Sequence, residues 1–103
     1  MREELREIRD LLSSADEHSS AAVVSLALDA TDAGLEKFLV SNELWGGSGS
    51  IADQCLIDQP DLRRQLESAL IKLGRAQVRA GLTNPRTLMW TETFEQWRQG
   101  GAT

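Results

Sequence analysis

Cysteine and histidine are almost absent from this chain of 103 residues, which holds one of each, Cys55 and His18. A single cysteine cannot close an internal disulfide, and one thiol with one imidazole cannot supply a structural zinc site. No metal or cofactor is therefore expected. Long apolar runs are missing too: nothing approaches the roughly 20 residues of a membrane span. The opening Met1-Arg2-Glu3-Glu4 is charged, unlike a secretory leader. These absences point to a soluble, cytoplasmic protein. Stretches alternating between apolar and polar residues at period two are also lacking, which argues against a sheet.

What is present is a hydrophobic fraction of 41%, close to the globular norm, and a length that suits one domain with one core. The net charge of -5 conceals an asymmetry. Residues 1–61 hold 13 acidic and 4 basic side chains, a balance of -9, whereas residues 62–103 hold 3 and 7, a balance of +4. An acidic chain lacks the dominant positive field that phosphate neutralisation needs, so general nucleic-acid binding is not expected, and only the basic half offers a local anion site.

Helical periodicity organises the rest. Leu5, Ile8, Leu12 and Ala15 recur at spacings of three and four among charged residues, the mark of an amphipathic helix. Ser14-Ala15-Asp16-Glu17 has capping-box form, and the helix it introduces carries Val23, Val24, Leu26 and Leu28, an apolar surface broad enough to predict a central position. With Asp32 as its cap, a third helix would carry Leu35, Phe38, Leu39, Asn42 and Trp45 on one face, which puts the Asn42 amide among apolar neighbours. Pro60 and Gly81 bracket the longest predicted helix, with Leu62, Leu66, Ala69, Leu70, Leu73, Gln77 and Ala80 on its core arc and Arg64, Lys72, Arg75 and Arg79 opposite. Ile71 and Val78 lie between the two arcs. Trp90, Phe94 and Trp97 form an aromatic stripe on a last helix. The expectation is an all-α, single-domain bundle of five or six helices over residues 1–98, with a flexible tail over 99–103.

Between two helical stretches lies Gly46-Gly47-Ser48-Gly49-Ser50. A nucleophile elbow needs glycine where Ser50 stands, and a phosphate-binding P-loop needs a lysine that does not follow. Both enzyme readings fail on spacing. Two readings remain. In one, the loop is a helix stop, a turn and a Ser50-to-Asp53 cap in succession. In the other, Asn42, Trp45, Gly47, Ser48, Ser50 and Asp53 line a small-ligand or anion site. Glu43 and Asp53 flank the loop as a further carboxylate pair, and Cys55 reads as an inert core thiol.

Ser41 to Asp53, read as SNELWGGSGSIAD, resembles the signature of a group of small bacterial proteins of uncharacterised function. The resemblance covers about a dozen residues, implies a bacterial origin and carries over no catalytic residue. With no catalytic set and an acidic N-terminal half, the leading expectation is a non-enzymatic interaction module. Glu3, Glu4, Glu7 and Asp10 would meet a basic protein partner that the module neutralises or regulates. Homodimerisation through Ile71 and Val78, or through Trp90 and Trp97, is the other partner expectation.

Overall fold

Pro60 and Gly81 act as the sequence predicts. The computed structural model describes residues 1–46, 49–56 and 58–99. Its elements are α1 (Arg2–Ser14), α2 (His18–Asp29), α3 (Asp32–Leu39), α4 (Asn42–Trp45), α5 (Ile51–Gln54), α6 (Pro60–Ala80) and α7 (Thr87–Gln99). The chain is all-α: no strand occurs among the described residues, and the bundle is built from the five longer helices, α4 and α5 being single turns. Pro60 occupies the first turn of α6, where its missing N–H costs nothing, and Gly81 ends the helix in the left-handed region at φ 73°. The N–H of Leu82 then closes on the Gln77 carbonyl at 2.9 Å.

The middle of the bundle is α6, which packs against both α1 and α7, while α1 pairs with α2. Leu66, Ala69, Leu70 and Leu73 are buried, and Arg64, Lys72, Arg75 and Arg79 are exposed. Leu5, Ile8 and Leu12 from α1 and Phe94 from α7 complete this core. Gly74 lets α7 come close, since a Cβ there would lie 2.1 Å from the Thr91 Oγ1. Ile71 is partly buried against the core, whereas Val78 is exposed. No helix among the described residues is long and apolar enough to cross a membrane.

Several expectations need correction. Asn42 is exposed, because the chain breaks at Ser41 between α3 and α4 and this break resets the helical phase that placed Asn42 beside Leu39. The buried amide in this region is that of Gln77. Ser14 does not cap α2. It is the last residue of α1, its Oγ donating to the Asp10 carbonyl at 2.8 Å, and Asp16 at φ 63° turns the chain so that the Glu17 N–H meets the Leu12 carbonyl at 2.9 Å. An acidic residue tolerates that left-handed turn better than a branched one, so the Ser-x-x-Glu stretch serves the end of α1. Thr31, not Asp32, caps α3, accepting from the Gly34 N–H at 3.2 Å. Nor is α2 central: its outer face is open, and Leu26 is 72% exposed. Finally, Gln99 belongs to α7 and not to a tail; the rest of the predicted tail, 100–103, lies outside the described residues.

Candidate functional site

The glycine loop leaves α3 and α4 on one side and enters α5 on the other. Its described ends are bonded internally. The Trp45 side chain is fully buried and its Nε1 donates to the Gln77 Oε1 at 2.8 Å. The Gln77 Nε2 in turn donates to the carbonyls of Leu39 and Leu82, at 2.8 and 2.7 Å, so both ends of this buried amide are satisfied. Asn84 adds a second brace: its Nδ2 donates to the carbonyls of Ser41 and Trp45, while its Oδ1 accepts from the N–H groups of Arg86 and Thr87 at the start of α7. The Gly46 carbonyl accepts from the Trp90 Nε1 at 3.0 Å and from the Ser50 Oγ at 3.2 Å. No side chain fits at Gly46, where a Cβ would sit 2.0 Å from the Asn42 carbonyl oxygen.

Ser50 is the predicted cap. Its Oγ accepts from the Asp53 N–H at 3.2 Å, and the Asp53 Oδ2 accepts from the Gly49 N–H at 3.2 Å. Past α5, the buried Leu56 adopts φ 60°, a left-handed conformation that costs a non-glycine residue roughly 1–2 kcal/mol and is retained here by burial of its side chain.

Behind this turn stands Arg63 on α6. Its Nη1 and Nη2 donate to the carbonyls of Cys55 and Ala52 at 2.8 and 2.6 Å, and its Nε pairs with Glu67 at 2.9 Å. The guanidinium also lies 5.4 Å from the Phe94 ring centroid. Glu67 is buried, and its Oε1 has no hydrogen-bond partner among the described residues. The Arg63 charge is what keeps a carboxylate tolerable there.

Between α2 and this α5 turn runs a cleft. Two cavities of about 170 and 480 Å³ share Ser20 and Gly49. Val23, Glu43 and Ile51 line the first, and Glu17, Cys55, Leu56 and Asp58 line the second. The Cys55 thiol donates to the Ser20 Oγ at 3.4 Å. Burial pushes this thiol up, against the opposing hydrogen bond with Ser20; Glu17 pushes it further and Arg63 pulls it back. It therefore stays protonated at neutral pH and makes a poor nucleophile. Glu17, Glu43 and Asp58 pair with no cation among the described residues. The cleft is thus lined by three carboxylates together with serine hydroxyls and the apolar side chains of Val23, Ile51 and Leu56.

Of the six loop residues that the sequence singles out, the four described ones do not line a common pocket. Trp45 belongs to the core, Ser50 is a buried cap, Asp53 is half-buried beside it, and Asn42 is exposed on α4. Gly47 and Ser48 lie outside the described residues. On α1, Glu4 pairs with the N-terminal amine at 3.2 Å and Asp10 with Arg9 at 3.1 Å, while Glu3 and Glu7 are exposed. The sequence marks Val23 only as part of the apolar surface of α2 and does not mark Ser20. Their signal is a run without charge, Ser19 to Leu28, on a helix whose outer face is open. In comparisons with known proteins, no family model, no curated protein and no solved structure matches the chain.

Proposed function

We propose that this chain is a non-enzymatic protein-interaction module whose acidic N-terminal half takes a basic partner and thereby neutralises or regulates it. One observation carries the reading: Glu17, Glu43 and Asp58 stand around an open cleft without cationic partners among the described residues. A carboxylate cluster left without internal partners attracts Lys and Arg side chains from solution and speeds their encounter. Glu3 and Glu7, exposed on α1, add further negative charge to the N-terminal half. The alternative, small-ligand or anion binding at loop 46–50, fares worse. Carboxylates around Gly49 repel an anion, and the four-residue α5 offers little dipole to offset them.

Affinity capture on the immobilised chain tests the reading. A basic protein should be retained from bacterial lysate at about 50 mM salt and released as salt rises toward about 0.5 M, where screening shortens the reach of charge. Capture that stays empty at low salt, or that survives high salt unchanged, would sink it. A phosphate titration that moves the amides of residues 46–53 would favour the alternative.

A further inference from the structure

We infer that the open row of α2, with the acid-rimmed cleft it borders, is the docking groove for a basic amphipathic helix. This rests on the basic-partner reading above and adds where the partner sits and what shape it has. Ser19, Val23 and Leu26 follow one another at i, i+4 and i+7, so they form one row along α2. Among the described residues Leu26 is the most exposed large apolar side chain, at 72%, while Ser19 and Val23 already line the cleft. The row therefore runs continuously into the cleft, where Ile51 faces it. Charge is confined to the edges: Glu43 across the cleft, Glu17 and Asp58 at one end, and at the other Asp29 together with Arg2, whose guanidinium is held by the Leu28 carbonyl and Asp32; no lysine or arginine is among the described residues that line the cleft itself.

A row carrying Val23 and Leu26 and set between carboxylates is complementary to a helix with apolar residues at i, i+3, i+4 and i+7 and Lys or Arg beside them. Ser19 to Asp29 spans about 15 Å, matching roughly three turns of such a helix. A second copy of this chain fits less well, because an isologous pairing on α2 brings carboxylate rims against each other.

The probe is a designed 18-residue helix of Leu and Lys with one apolar stripe; its controls are a scrambled peptide of equal composition and a Leu/Glu counterpart. Binding to the full chain is read by amide shifts and by fluorescence anisotropy at low and high salt. The striped Leu/Lys helix should move the amides of residues 19–30, 43 and 49–51. It should bind more tightly than the scrambled peptide, and the Leu/Glu helix should not bind. Leu26→Ser and Glu43→Gln, both on exposed side chains, should each weaken the striped helix about ten-fold. Unchanged circular dichroism and melting would show that these variants remain folded. If the striped helix binds but ignores Leu26→Ser, or maps to Glu3 and Glu7, the groove is refuted while the basic-partner reading stands. If neither basic peptide binds at low salt, both are refuted. A dimer in sedimentation that Leu26→Ser abolishes would make a second copy the occupant and overturn the inference.

Discussion

Two sides of the same glycine loop are built on opposite rules. Toward α6 and α7, the polar atoms are committed inward: Trp45 to Gln77, Gln77 to Leu39 and Leu82, Trp90 to Gly46, and Asn84 to two carbonyls and the start of α7. Toward α2, Leu26 is open to water and three carboxylates around the cleft go without cations among the described residues. A saturated network buys a unique arrangement, whereas uncommitted apolar and charged groups lower the free energy of nothing until something arrives. Architecture is concentrated on one face of the joint, and the proposed recognition falls to the other.

The strongest way to break this contrast is Gln77→Leu. It removes the partner of the Trp45 indole N–H and of the carbonyls of Leu39 and Leu82, and at about 1–3 kcal/mol for each stranded group it should cost roughly 3 kcal/mol or more in urea unfolding. A cost below about 1 kcal/mol would show that the inward network is not what fixes the joint. Next in size is Gly74→Ala, whose Cβ would meet the Thr91 Oγ1 at 2.1 Å. Overpacking of this kind costs about 1–3 kcal/mol, and pairing it with Thr91→Ala should recover much of the loss in a double-mutant cycle.

On the cleft side the expected effects concern reactivity more than stability. Alkylation of Cys55 at pH 8 should be slower in the folded chain than in urea by about ten-fold or more, because the folded thiol is buried with its ionisation pushed up. The sign for stability follows: the folded state holds the proton more tightly than the unfolded one, so this thiol favours folding less as pH rises through the unfolded value. Equal alkylation rates in the folded and unfolded chains would mean that the cleft opens freely. The smallest effect belongs to Leu26→Ser, which should change stability by no more than about 0.5 kcal/mol, as a surface substitution does. A larger loss would place Leu26 in the architecture and erase the distinction between the faces.

How much of this was legible in the sequence depended on how local each cause is. The bounds of α6 follow from Pro60 and Gly81 acting through their own backbones, and the Ser50 cap follows from a contact three residues away. Asn42 was misread because periodicity assumes an unbroken phase, and only the fold reveals that Ser41 interrupts it. Arg63 and Glu67 have the i, i+4 spacing of an ordinary solvent-facing pair, yet both are largely buried, because the carbonyls that hold Arg63 come from a turn eight and eleven residues earlier. The broad apolar surface of α2 was visible, but the usual inference from it, a central helix, reversed the meaning. Neither hydropathy nor spacing distinguishes a face covered by its own chain from one left for another.

The Arg63 contacts have a consequence for the order in which the molecule assembles. A four-residue helix has almost no stability of its own, since nucleating a turn costs more than its few hydrogen bonds return. The α5 turn is held at its Ala52 and Cys55 carbonyls by a side chain that is in position only once α6 has formed. One wall of the cleft should therefore form late in folding and open early. Amide exchange in 51–56 should outpace that in the middle of α6, and anything that settles against this wall would slow it.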